Sequence, residues 1–195
     1  LLVDEIYHGL HYVQDMPCIL ELTQDAYVVN SFSKYFGMTG WRLGWIVVPE
    51  DAIEMTTRLA QNLYISAPSI AQYAALAAFT DEATEIFEAR RREFQMRGEY
   101  LQRALTELGF EIAADFQGAF YLWADISRFS DNCEQFCQQV LQRDGVAITP
   151  GTDFGVASAQ RFVRVAFTTS REDLEEGVAR LRRGLASGDN PSHDN

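Results

Sequence analysis

Three short apolar runs lie within the first 48 residues, and the lengths of chain between them limit how they can pair. Residues 1–3 end at the acidic pair Asp4-Glu5, 27–30 end in Ser31-Phe32-Ser33-Lys34, and 43–48 close at Pro49. Runs this short, bounded by polar and turn residues, read as buried strands. About twenty residues separate the first two, enough for a crossover, so they can pair in parallel with both C-terminal ends on one edge. Only seven residues, Gly37 and Gly40 among them, lie between Lys34 and Arg42. A parallel crossover takes roughly a dozen or more. The third strand is therefore expected to run antiparallel and to begin on that same edge. This gathers Asp4, Lys34 and Arg42 along one rim, where open α/β sheets bind ligands.

Further along, periodicity predicts helices over 51–63, 69–79 and 81–108. The last carries a one-sided stripe of Phe87, Phe94, Leu101, Leu105 and Leu108, with Gly109 as its stop. Arg90-Arg91-Arg92 on it, beside several glutamates, reads as a solvated face without function. An α+β pattern follows: strands over 110–113 and 119–124, a helix over 132–143, strands over 146–149 and 162–167, and a final helix. Ser170 is the expected N-cap of that helix, with Asp173 three residues on and Leu174, Val178, Leu181 and Leu185 as its buried stripe. The expected class is α/β: the end of a larger mixed-sheet domain over 1–80, a connecting helix over 81–108, a small α+β domain over 109–187, and a mobile tail over 188–195 in which His193 is inert. Three strands with one polar rim leave sheet faces uncovered. With no initiator Met and no basic leader at Leu1, the chain reads as cut from something longer.

Composition narrows the function. Asp and Glu number 28 against 16 Lys and Arg, a net charge of −12, which opposes a nucleic-acid or anionic-membrane role. No apolar run approaches the ~18 residues of a membrane span. Cys18, Cys133 and Cys137 are an odd, sparse set that points to a reducing compartment, the cytoplasm by default. Cys133 and Cys137 share a stripe with Phe136, Val140 and Leu141 and read as core, so no metal is expected. His8 and His11 read as packing or surface residues, with His8 as a neighbour of the aspartate segment at most.

Fifteen of the sixteen basic residues are arginines, so Lys34 is the single lysine. An amine at the end of a buried strand, among aromatic residues and beside another cation, is a usable nucleophile and base. A carboxylate, an amine and a guanidinium on one rim, with the hydroxyls of Ser31 and Ser33, match what pyridoxal phosphate needs from a protein. The amine holds the aldehyde carbon, the carboxylate keeps the pyridine nitrogen protonated, and the arginine with the hydroxyls holds the phosphate.

Ser31-Phe32-Ser33-Lys34, followed by Gly40-Trp41-Arg42-Leu43-Gly44, resembles the lysine-site signature of class I/II aminotransferases of the fold-type I pyridoxal-phosphate family. Val3-Asp4-Glu5-Ile6-Tyr7 resembles that family's aspartate-site segment. The resemblance covers nearly the whole chain, as the C-terminal portion of such an enzyme. It implies that Lys34 forms the Schiff base, Asp4 pairs with the pyridine nitrogen, Tyr7 reaches the ring hydroxyl, and Ser31 and Arg42 hold the phosphate, with Ser33 a weaker candidate. Gly118-Ala119-Phe120-Tyr121-Leu122-Trp123 and Pro150-Gly151-Thr152-Asp153-Phe154-Gly155 resemble segments flanking the substrate entrance. In Phe162-Val163-Arg164-Val165-Ala166-Phe167, the resemblance assigns Arg164 to the substrate α-carboxylate, while nearby Arg161 is expected to be exposed. It further implies amino transfer between an α-amino acid and a 2-oxo acid, and a homodimer. The stacking aromatic, glycine-rich loop and asparagine that the family places before the aspartate strand are absent here, so the 195-residue piece alone is expected to be inactive. A C–S lyase on the same fold, or the aminotransferase-like effector domain of a transcription regulator, would carry the same residues.

Overall fold

The computed structural model describes residues 1–14, 16–112 and 116–187. Ala113 and the expected tail over 188–195, with His193, lie outside the described residues. Two compact units are formed, one by Leu1–Glu93 with Gln117–Ala119, the other by Phe94–Phe116 with the residues from Phe120 on.

The first unit carries a three-stranded sheet in the order β1 (Leu2–Asp4), β2 (Tyr27–Ser31), β3 (Gly44–Val47). β1 and β2 are parallel, with Asp4 opposite Val29. β2 and β3 are antiparallel, with Ser31 opposite Gly44, as expected, although both strands stop short of Lys34 and Arg42 and the connection is residues 32–43. The C-terminal ends of β1 and β2 and the start of β3 thus share one edge. Helices α1 (Ile53–Leu63) and α2 (Ser69–Leu76) follow, each with a single 3-10 turn where the sequence suggested more helix, at Glu50–Ala52 and Ala77–Phe79. A small core unites Phe32, Ala75 and Ala78 with Phe36, Met38, Leu43 and Phe87.

Helix α3 (Asp81–Leu108) has the bounds its periodicity predicts. It stops because Gly109 adopts φ +100°, which lets Phe110 N–H return to Leu105 O at 3.1 Å and closes the last turn. The arginine triplet is not a uniformly solvated face: Arg92 is exposed, but Arg90 and Arg91 are half-buried and bonded to loops of the first unit. The sequence shows their i,i+3 glutamates but not partners far away in the chain.

The second unit holds β4 (Tyr121–Asp125), α4 (Cys133–Asp144), β5 (Thr149–Pro150), β6 (Phe162–Ala166) and α5 (Arg171–Ser187), with sheet order β4-β6-β5, antiparallel throughout. Alternation along β4 and β6 puts Leu122, Ala124, Val163 and Val165 on the core face, against Leu101 and Leu105 of α3, Phe136 and Val140 of α4 and Val178 and Leu181 of α5. The opposite face carries Tyr121, Trp123, Phe162 and Arg164. Asn132 caps α4 by accepting from Gln135 N at 3.0 Å, and Ser170 caps α5 by accepting from Asp173 N at 3.1 Å.

Two expected strands are corrected. Among the described residues of the first, 110–112, only Glu111 pairs, as an isolated bridge to Asp125. At 146–149 the strand is reduced to Thr149–Pro150, because Val146 and Ile148 serve the core by packing rather than by pairing. Among the described residues no helix is long and apolar enough to cross a membrane.

Candidate active site

Asp4 is the last residue of β1 and stands exposed at the sheet edge. Its Oδ1 accepts from Ile6 N at 3.0 Å, which fixes the carboxylate at the head of the next turn. Glu5 turns inward instead: Oε1 accepts from Ile19 N at 2.8 Å and Oε2 lies 3.5 Å from His8 Nδ1. The His8 and His11 rings meet edge to face at 5.8 Å, in keeping with packing roles. Two backbone bonds, His8 N to Glu5 O and Leu10 N to Tyr7 O, both 2.8 Å, curl the chain so that it presents Tyr7.

At the end of β2, Ser31 Oγ accepts from Ser33 N at 3.0 Å and lies 2.9 Å from Ser33 Oγ and 3.2 Å from Leu43 O. The two hydroxyls therefore form one polar spot. The chain then turns tightly, with Gly37 N to Lys34 O at 3.0 Å and Met38 N to Phe32 O at 2.9 Å. Phe32, buried among the rings of Phe36, Trp45 and Phe79, anchors this turn. Lys34 is half-buried, and its Nζ sits over the Tyr7 ring, 5.6 Å from the centroid. The two turns that follow the parallel strands are thereby joined side chain to side chain.

Arg42 is exposed and adopts φ 54°, ψ 52°. That left-handed conformation costs a non-glycine residue about 1–2 kcal/mol, and strain of this kind concentrates where a side chain must be aimed. Its Nη1 donates to Thr39 O at 2.9 Å, and Thr39 Oγ1 donates to Ser33 O at 2.6 Å, linking the arginine to the serine pair through the backbone. Five of the six candidate residues, Asp4, Tyr7, Ser31, Lys34 and Arg42, thus come from one edge of one sheet. A pocket of about 400 Å³ is lined by two of them, Asp4 and Tyr7, with His8, Ile19, Met16 and Gln117, whereas Ser31, Lys34 and Arg42 do not line it.

Arg164, the sixth, belongs to the second unit. It lies mid-strand in β6, half-buried, with its guanidinium 4.0 Å from the Phe154 ring centroid and 4.8 Å from that of Tyr121. Among the described residues it makes none of the ion pairs that would mark a structural arginine. Arg161 is exposed as expected, but it also bonds Asp125, with Nε at 2.7 Å and Nη2 on the same oxygen. That carboxylate, 6% exposed, escaped the sequence reading because its partner is 36 residues away. Cys133 and Cys137 are buried, and burial pushes the Cys137 thiol up to about 12, so it is chemically inert. Among the described residues no cluster of three or more His, Cys, Asp or Glu side chains could hold a metal.

The donor set fits pyridoxal phosphate. One amine, one carboxylate, one phenol, a pair of hydroxyls and one guanidinium stand at one sheet edge, each with a different capacity for that molecule. The chain is 40% identical over 190 residues to a valine–pyruvate aminotransferase of Mycobacterium tuberculosis, covering 96% of this chain and 49% of that protein. It superposes on the crystal structure of an aminotransferase from Mycobacterium tuberculosis with TM-score 0.93 at 39% identity, covering 96% of this chain and 49% of that one. On an aromatic aminotransferase from Pyrococcus horikoshii the TM-score is 0.87 at 30% identity, with 95% and 50% covered. The chain spans about half the length of the relatives it matches, and its α/β architecture with a mixed sheet is that of the C-terminal part of fold-type I aminotransferases. The family pattern for class I and II aminotransferases matches residues 1–181, and the chain belongs to that family.

Proposed function

We propose that the whole protein is a pyridoxal-phosphate-dependent aminotransferase and that this chain supplies the lysine side of its site. The observation that carries the reading is the placement of the single lysine: Lys34 Nζ over Tyr7, on the sheet edge that also bears Asp4, Ser31 and Arg42. Pyridoxal phosphate supplies an aldehyde for amines and an electron-withdrawing ring. Asp4 holds a proton on the ring nitrogen, Tyr7 orients the ring hydroxyl, and Ser31 and Arg42 bind the phosphate, with Ser33 assisting through Ser31. With the cofactor bound, Lys34 Nζ would hold its aldehyde carbon, and as a free amine it would carry the substrate's Cα proton away from Cα as general base and deliver it on the cofactor side as general acid. Arg164 binds the α-carboxylate with two parallel N–H bonds, its plane held by Phe154 and Tyr121. The partners in this reading are an α-amino acid, a 2-oxo acid and a second copy of the protein, in the cytoplasm.

Likeness to a valine–pyruvate aminotransferase makes valine with pyruvate the first pair to test. The whole protein, supplied with pyridoxal phosphate, is expected to form alanine from pyruvate at the expense of valine or another amino acid. Release of pyruvate and thiol from cysteine-type substrates without amino transfer would overturn this in favour of a C–S lyase. DNA binding without turnover would favour a regulator.

A further inference from the structure

Both turns of the site lean on the N-terminal half of α3. The ring of Tyr35, the residue after Lys34, lies against Gly9 in the turn that presents Tyr7. Gly9 has φ +93°, and a Cβ there would fall 2.7 Å from Tyr35 Cγ, so only glycine admits the ring. Tyr35 Oη donates to Glu88 Oε1 at 2.8 Å, and Glu88 Oε2 accepts from Arg91 Nε at 2.8 Å. Arg91 Nη1 reaches on to His11 O at 3.2 Å, at the end of the Tyr7 turn. On the other side Arg90 Nη2 donates to Tyr35 O at 3.1 Å, its guanidinium stacks 5.2 Å from the Phe87 centroid, and it fills the space that a side chain at Gly37 would need. The chain Tyr35–Glu88–Arg91–His11 thus ties the Lys34 turn to the Tyr7 turn, and Arg90 braces the Lys34 turn from below. Burial and the bond to Glu88 push the Tyr35 hydroxyl up to about 12, so it stays a donor; burial pushes Glu88 up, but bonds from Arg91 and Tyr35 outweigh this and hold it below the usual carboxylate range.

We infer that Glu88, Arg90 and Arg91 are positioning residues that, through Tyr35, set the reach of Lys34 Nζ relative to Tyr7. The inference rests on the reading of Lys34 as the cofactor-bearing amine. It gives a function to the half-buried part of that charged helix face.

Lys34 Nζ is the single lysine amine of these 195 residues, so a trapped label on a side-chain amine of this stretch reports on the site. The whole protein is incubated with pyridoxal phosphate below saturation, reduced with borohydride and digested, and the labelling ratio, labelled over unlabelled Lys34 peptide, is read by peptide mass mapping. Losing the charge-assisted bond in Tyr35→Phe or Glu88→Ala is expected to lower the ratio about tenfold each. The double variant should fall no further than Glu88→Ala, which already removes the Tyr35 bond. Glu88→Gln, which keeps an acceptor for Tyr35, should retain most of the wild-type ratio. Without cofactor, hydrogen exchange at the Gly37 and Met38 amides should accelerate in Tyr35→Phe and Glu88→Ala. Faster exchange with an unchanged ratio would overturn the positioning role, since the network would then order the turn without serving Lys34. Unchanged exchange would overturn it outright. If wild-type Lys34 takes no label there is no ratio to compare and the cofactor reading fails instead; exchange alone then tests the clamp, acceleration in the variants upholding it and no change overturning it.

Discussion

Arg42 and Arg164 present their guanidiniums in opposite ways. Arg42 is exposed, strained at the backbone and tied to Thr39 O, whereas Arg164 is held between Phe154 and Tyr121. In the whole protein, Arg42→Ala should weaken pyridoxal phosphate retention about tenfold or more, whereas Arg164→Ala should keep the cofactor and lower kcat/KM about a hundredfold with a raised KM. Equilibrium dialysis and steady-state kinetics separate the two; cofactor loss as the sole effect of both would remove Arg164 from the substrate role. Asp125 gives a pH-dependent prediction. Burial pushes its carboxyl up, but hydrogen bonds from Arg161 and Ser127 outweigh this and hold it below its ordinary value. Such a group adds stability that is fully present above the unfolded value, about 3.9, and is lost as pH falls through the folded one. Asp125→Asn should therefore lower the unfolding midpoint by several degrees at neutral pH, with the gap to wild type closing as the buffer is acidified through that range. A gap independent of pH would contradict the ion-pair account. Lys34 was legible in the sequence because it stands alone, and Asp4 and Arg42 because strand ends can be located. The roles of Arg90, Arg91 and Arg161 were not, because each is defined by a partner 36 to 80 residues away.

Among the elements, α3 shows two sequence signals in conflict and which one wins. Gly98 lies inside the helix, where alanine would gain about 1 kcal/mol in propensity. A Cβ there would lie 2.6 Å from Phe116 Cε2 and 3.0 Å from Phe167 Cζ, both rigid rings. Overpacking of a well-filled core costs about 1–3 kcal/mol, so Gly98→Ala should be net destabilising by about 1 kcal/mol. Urea denaturation reads this directly, and a stabilised variant would show that the rings can withdraw. Element type followed from pattern wherever a local signal was strong: the stripe and Gly109 for α3, the serine cap for α5, the short connection for the antiparallel β3. It failed at 110–113 and 146–149, where apolar residues face the core without a strand partner. Alternation reports burial, and pairing is decided by neighbours that the local sequence does not contain.

For the molecule as a whole, the exposed apolar surface of the first unit is the dominant feature. Met55, Leu59 and Leu63 form an i,i+4 stripe along α1, each at least 60% exposed, and Ile70, Tyr73 and Leu76 on α2 are as open. Apolar surface on this scale is normally covered, and a net charge of −12 is a weak defence against contact through a neutral patch. The 195-residue chain is therefore expected to self-associate, and Leu59→Glu with Tyr73→Glu to shift it toward monomer in sedimentation velocity; a monodisperse wild-type monomer across a wide concentration range would contradict this. The central claim is that one amine of this chain is built to receive pyridoxal phosphate. Borohydride trapping in the wild-type protein, mapped to peptides and compared with Lys34→Ala, tests it most directly: the label should concentrate on Lys34 and the visible absorbance of the complex should vanish in the variant. No label on Lys34, or an absorbance that survives Lys34→Ala, would contradict it.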